Sequence, residues 1–262
     1  MLFGINLKMR NKYINNINIE QADPNAVTLK PTPAATVLLL RDGLDSIEVF
    51  MIKRAAASNF GNAWVFPGGK VDKGDHDNKL INLSKLSSND AKFKLGVNEN
   101  ALEYWIASIR ECFEESGVLL AYKKSGEIYS PKNENEINDL KILQNQINLK
   151  KLTFYDLLIK LELHLATDKL AYLSHWITPI SEKKRYSTRF FLGQLPDKQK
   201  ALHDGFEGVD SRWITPNEAL NLYRSGDFSI ILPTITSLEA ISTYKSVNQL
   251  LDTPISAISY SP

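Results

Sequence analysis

Cysteine is almost missing from these 262 residues: Cys112 is the only one, so no intramolecular disulfide can form and no oxidising compartment is implied. A charge excess is missing too. Lys and Arg number 31 against 30 Asp and Glu, which removes the basic surplus that drives binding to nucleic acid or to an anionic membrane surface. No apolar run approaches the length of a membrane span. Met1 to Lys30, rich in Asn and Ile, has neither a signal-peptide apolar core nor a small-residue cleavage site, and Tyr260-Ser261-Pro262 is not a peroxisomal address. A cytoplasmic location is expected by default. His76, His164, His175 and His203 are scattered without metal-ligand spacing, which argues against zinc. No Gly-x-Ser-x-Gly elbow is present, which argues against a serine hydrolase.

What the chain does have is Arg110-Glu111-Cys112-Phe113-Glu114-Glu115-Ser116-Gly117-Val118. Residues at i, i+3 and i+4 share a helix face, so Glu111, Glu114 and Glu115 project together, and their repulsion makes a divalent cation the natural partner. Carboxylate oxygens select a hard ion, Mg²⁺ or Mn²⁺. Solvated Glu-rich helix ends are common, and this segment alone does not exclude one. A second element strengthens the functional reading: Phe66-Pro67-Gly68-Gly69-Lys70-Val71-Asp72 reads as a strand end followed by a glycine turn, where backbone can approach a ligand closely.

Around these lie recognisable elements. Ala34 to Arg41 and Ile47 to Lys53 are strand-like runs joined by the turn-forming Asp42-Gly43-Leu44-Asp45, and a third strand covers Trp64-Val65-Phe66. The polar stretch from about 76 to 100 reads as a surface insertion, a loop with room for a short helix. Ala101 to Ser116 carries Leu102, Trp105, Ile106, Ile109, Cys112 and Phe113 at helical spacing, and Gly117 stops the helix. Cys112 on that stripe reads as a small buried hydrophobe. A helical insertion at about 133–167 reads as two amphipathic helices, the second capped by Thr153; its stripe of Leu157, Leu158, Leu161 and Leu165 suits packing or a homodimer contact. Strands are expected at Tyr172 to Thr178, Thr188 to Leu195 and Val209 to Ile214. Helices follow at Pro216 to Tyr223 and Leu232 to Tyr244. The expected class is α/β, with layers of helix against a mixed sheet.

The two motifs together resemble the Nudix box, the signature of hydrolases that cleave nucleoside diphosphates linked to another group. Gly69 matches its first glycine, Asp75 stands at the position of its first glutamate, and Arg110 to Val118 match its second half residue for residue. Here the spacer between the halves has grown to the whole stretch from His76 to Ile109. An interrupted box is similar to that of one branch, the coenzyme A diphosphatases, some of them peroxisomal. Trp64-Val65-Phe66-Pro67-Gly68-Gly69, His175-Trp176-Ile177-Thr178-Pro179 and Arg185-Tyr186-Ser187-Thr188-Arg189-Phe190-Phe191 resemble the same branch. The resemblance implies a Nudix-type α/β/α sandwich over residues 32–262, preceded by an N-terminal extension over 1–31.

It also implies roles. Glu111, Glu114 and Glu115, with the carbonyl of Gly69, would ligate Mg²⁺ or Mn²⁺, and one of these carboxylates or Glu207 would take the proton of the attacking water. Arg110 would pair with Glu114 and hold it in ligand geometry. Gly68 and Gly69 would border the substrate. Arg54 and Arg189, read as strand-end arginines, are phosphate candidates or else plain surface ion pairs, and Lys183, Lys184, Arg185 and Arg189 form a local basic patch. Trp64, Trp176, Tyr186 and Phe190 suit either adenine stacking or the core. The expected substrate is coenzyme A or an acyl derivative. ADP-ribose, a dinucleotide or a nucleotide sugar is the alternative, and a non-catalytic nucleotide-sensing module is the alternative of another class.

Overall fold

The computed structural model describes residues 29–57, 61–182, 184–253 and 258–260. Most of the expected N-terminal extension, and Lys183 of the basic patch, lie outside them. Ten strands and eight α-helices are described. In chain order they are β1 (Thr32–Asp42), β2 (Ile47–Arg54), β3 (Trp64–Val65), β4 (Gly68–Lys70), α1 (Asn78–Asn82), α2 (Ser88–Leu95), α3 (Leu102–Ser116), β5 (Ala121–Lys123), α4 (Glu134–Asn148), α5 (Phe154–Lys160), β6 (Leu163–Leu165), β7 (Ala171–Ile177), β8 (Tyr186–Gln194), β9 (Gly208–Ile214), α6 (Pro216–Ser225), α7 (Leu232–Ile241), α8 (Val247–Asp252) and β10 (Ile258–Tyr260).

The main sheet is mixed. Its spine runs β10-β7-β8-β1-β2-β3, with β8 parallel to β1 and β7 antiparallel to β8. One edge of β1 is shared: its second half pairs with β2, whereas Ala34, Ala35 and Thr36 pair with Lys70, Gly69 and Gly68 of β4. β2 in turn carries β9. The glycines expected to make a turn are therefore a short strand. The turn reading failed because the pairing partner of Gly68-Gly69 lies more than thirty residues upstream.

Successive side chains on a strand face opposite ways, and the two faces of β1 build two cores. Ala35, Val37 and Leu39 pack with Trp105, Ile106, Ile109, Cys112 and Phe113 of α3. Leu38 and Leu40 pack with Val49, Met51, Leu220, Ile235 and Leu238. The result is a sheet between two helical layers, with α3 seated on one face.

The stretch 76–100 is more ordered than its polarity indicated. It forms α1 and α2, each opened by a side-chain cap, Asp77 on the Lys79 amide and Ser87 on the Asp90 amide. Leu80, Leu86, Ala91 and Leu95 enter the α3-side core. Four apolar residues among many polar ones are a weak periodic signal, which is why the sequence read as loop.

The second insertion holds α4 and α5 as expected, with Thr153 accepting from the Asp156 amide, but Leu163–Leu165 is a strand paired with β5. Leu157, Leu158 and Leu165 are buried, so the stripe serves packing. Near the end of the chain, α8 and β10 extend the architecture beyond the expected closing helix, because Ser246 caps a fresh helix.

Candidate functional site

The chemistry-bearing side chains gather where α3 passes under β4. Glycine at position 69 permits this closeness: a Cβ there would lie 2.5 Å from Glu111 Oε1. Gly68 donates its amide to Glu115 Oε2 at 2.9 Å, so strand backbone and helix carboxylates interlock directly. At the end of α3, Gly117 adopts the left-handed cap (φ 73°), and Gln144 and Asn148 of α4 both donate to the Glu114 carbonyl. The helical insertion thus secures the end of the acidic helix.

Arg110 organises the acidic cluster. Its guanidinium donates twice to Asp75, at 2.9 and 2.8 Å, once to Glu111 at 2.8 Å and once to the Lys70 carbonyl at 2.8 Å. The expected pairing with Glu114 is present at 3.4 Å, but it is the longest of these contacts. Burial works against the Arg110 charge, yet the Asp75 hydrogen bonds and the surrounding carboxylates outweigh it and raise its proton affinity. Every terminal nitrogen and the Nε of Arg110 is thus engaged by Asp75, Glu111 or the Lys70 carbonyl.

Asp75 is fully buried. It also closes a capping box with Asp72, whose amide donates to Asp75 Oδ2. Its partnership with Arg110 was not read from the sequence. The signal was there in the Gly69-to-Asp75 spacing, but a separation of 35 positions along the chain hid the pairing.

The three glutamates are short of countercharge. Burial pushes the Glu111 carboxyl up to about 7, Arg110 opposing and Glu114 adding to the shift. Burial raises Glu114 as well. Glu115 is raised well above the usual range by burial and then by the Glu111 charge, while the Gly68 amide and Arg54 pull it back. Among the described residues no three His, Cys, Asp or Glu side chains converge on one point, because Arg110 draws Glu111 and Glu114 and the Gly68 amide draws Glu115. The donor set still fits a hard cation: every donor is oxygen, and crowded carboxylates are the electrostatic condition that Mg²⁺ or Mn²⁺ relieves.

Arg54, at the end of β2, lies 3.9 Å from Glu115 and 3.0 Å from Glu207, whose side chain is 63% exposed. The fold therefore brings Arg54 and Glu207 to the acidic helix. Arg189 is different. It sits in mid-strand and is 6% exposed, so it belongs neither to a strand end nor to a surface basic patch. Ala35 pairs with Gly69 on one side and Arg189 on the other, placing Arg189 on the α3 face about 10 Å from Gly69 by the spacing of strands.

Three of the four aromatic candidates make packing contacts. Trp64 is buried and stacked on Phe228, and Phe190 is buried. Trp176 stacks on Tyr260. Burial raises the Cys112 thiol to about 12, as suits an inert core residue.

A family model described as the NUDT19 Nudix domain matches residues 98–241, more than half of the chain. The chain belongs to this Nudix family. Among curated Nudix relatives, acyl-coenzyme A diphosphatase NUDT19 of Xenopus laevis is 25% identical over 234 residues, 78% of this chain and 62% of that protein. Putative nudix hydrolase 7 of Caenorhabditis elegans is 30% identical over 200 residues, 75% of this chain and 56% of that protein. The chain thus spans less than two thirds of the length of either relative. The crystal structure of a NUDIX hydrolase from Alicyclobacillus acidocaldarius superposes with a TM-score of 0.68 at 23% identity, covering 89% of this chain and 99% of that one. That agreement shows the Nudix fold. Among the described residues no helix is long and apolar enough to cross a membrane.

Proposed function

We propose that the chain, read as one Nudix domain over 32–262 behind an extension over 1–31, is a cytoplasmic diphosphatase. It adds water across the diphosphate of coenzyme A or acyl-coenzyme A, giving (acyl-)phosphopantetheine and adenosine 3′,5′-bisphosphate. The observation that carries the reading is the packing of Glu111 and Glu115 against Gly69 and Gly68, with Glu114 beside them on Arg110 and the proton affinities of all three raised. The match to a relative named as an acyl-coenzyme A diphosphatase supports the substrate class.

In this reading Glu111, Glu114, Glu115 and the Gly69 carbonyl hold Mg²⁺ or Mn²⁺, which when bound neutralises diphosphate oxygens and acidifies water. Arg110 and Asp75 keep Glu111 and Glu114 in place. Arg54 meets phosphate oxygens as its exposed partner Glu207 yields, and the Gly68-Gly69 strand lets the diphosphate approach the backbone. Glu111, Glu114, Glu115 or Glu207 takes the proton of the attacking water.

Incubation with coenzyme A and Mg²⁺, followed by mass spectrometry, should release phosphopantetheine. A panel including ADP-ribose, a dinucleotide and a nucleotide sugar should rank coenzyme A derivatives highest in kcat/KM. No phosphopantetheine, or a higher kcat/KM for another member of the panel, overturns the substrate assignment. No hydrolysis of any member, with Glu115→Gln leaving nucleotide binding intact, would favour a sensing module.

A further inference from the structure

Arg189 has an environment that the cleavage chemistry does not use. A guanidinium with so little solvent exposure normally faces a carboxylate. Among the described residues none lies within ion-pair distance of Arg189, and its Nε is buried without a hydrogen-bond partner. Its surroundings are aromatic and hydroxylic. Nη1 donates to the Tyr172 phenol oxygen at 3.1 Å, and the guanidinium carbon lies 5.1 Å from the Tyr104 ring centre and 5.8 Å from that of Tyr172.

Tyr172 accepts from Arg189, and no protein acceptor for its own hydroxyl proton lies among the described residues. His175, next to Arg189 across the β7–β8 pair, bonds Ser187 Oγ at 2.8 Å. Burial and the Arg189 charge push His175 down to about 4, so the imidazole is neutral near pH 7 and Arg189 supplies the local positive charge. Tyr104, Tyr172, His175 and Ser187 are half-buried, leaving the group a way to solvent on the same sheet face as Gly69.

We propose that Arg189, with Tyr172 and Tyr104, forms a second anion subsite that takes a phosphomonoester carried by the substrate apart from its scissile diphosphate. The assignment rests on the diphosphatase reading for its substrate class. Two strand spacings, about 10 Å, separate the Arg189 backbone from that of Gly69, a span that a nucleotide bearing both groups can bridge. The subsite supplies a charged donor fork and a phenol, and the phosphomonoester supplies the missing counter-ion.

The test is binding without metal. In EDTA, titration calorimetry of the wild-type protein should give adenosine 3′,5′-bisphosphate at least about tenfold tighter affinity than AMP, the gain of hydrogen bonds to a charged group. Arg189→Gln should reduce that preference to within about twofold while AMP affinity is unchanged. Tyr172→Phe keeps the ring and removes the hydroxyl, and should cut the preference about threefold, which preserves the test if Arg189→Gln does not fold. No preference in the wild type, or a preference undiminished in Arg189→Gln or in Tyr172→Phe, overturns the subsite. Failure of the diphosphatase reading looks different: coenzyme A stays intact with Mg²⁺ while the calorimetric preference persists.

Discussion

Arg110 grips Asp75 through two hydrogen bonds, Nε to Oδ1 at 2.9 Å and Nη2 to Oδ2 at 2.8 Å, joining the first half of the interrupted box to the second. Both groups are buried, so removing one charge strands the other. Asp75→Asn should therefore cost about 3 kcal/mol, the low end for a broken buried pair because Glu111 still faces Arg110. Urea denaturation with metal chelated checks it. A loss below about 1 kcal/mol would mean that Asp75 does not hold the box together.

Gly69→Ala separates activity from stability. The new methyl would meet the Glu111 carboxylate, so the carboxylate must turn away. Displacing a catalytic group by about 1 Å can lower turnover roughly a hundredfold. The expected result is that loss in kcat on the preferred substrate, with the melting temperature little changed. Equal kcat for variant and wild type would remove Gly69 from the site.

The raised Glu111 proton affinity fixes the sign of a pH effect. Because the folded value of about 7 exceeds the ordinary 4.5, its contribution to stability is fully present below pH 4.5 and is lost as pH rises through 7. In EDTA, wild type should lose stability over that window relative to Glu111→Gln, by on the order of 2 kcal/mol. Adding Mg²⁺ or Mn²⁺ at pH 7.5 should restore it in wild type and do so less in the variant. Parallel pH profiles from denaturation of the two proteins would contradict this.

Arg54→Ala should act on substrate more than on the fold. Its nearer partner Glu207 is mostly exposed, a kind of pair that contributes less than about 1 kcal/mol to stability, and its contact with the buried Glu115 is long at 3.9 Å. Losing a charged phosphate contact should lower kcat/KM about tenfold or more. Steady-state kinetics and a thermal melt on the same preparation distinguish the two effects.

Leu80→Ala tests whether the insertion in the box is core. Leu80 is 3% exposed and packs in the α3-side cluster, so truncation should cost about 2–5 kcal/mol. If the stretch were a loose surface loop, denaturation would register less than about 0.5 kcal/mol.

The elements flanking the site were legible because their signals are local: a nearly continuous apolar run in Ala34 to Leu40, a turn at Asp42-Gly43, and helical spacing from Leu102 to Phe113. Clustering of the glutamates on one helix face follows from the same periodicity. Arg189 was legible as a basic residue and misplaced as a strand-end arginine, since burial at mid-strand depends on what α3 lays over it. The second strand edge at Gly68–Lys70 and the apolar anchors at Leu80 and Leu95 depend on partners distant in the chain.

The sequence by itself determined the Nudix signature, the acidic face of α3 and the glycine that must lie against it, because side-chain type and helical period act within a few residues. The tertiary structure alone decided three things: Asp75 answers Arg110 across the insertion, Arg54 and Glu207 reach Glu115, and Arg189 is buried with no carboxylate in ion-pair distance among the described residues. Each is an electrostatic relation between residues far apart in the chain, and its strength depends on distance and burial that exist only once sheet and helix have packed.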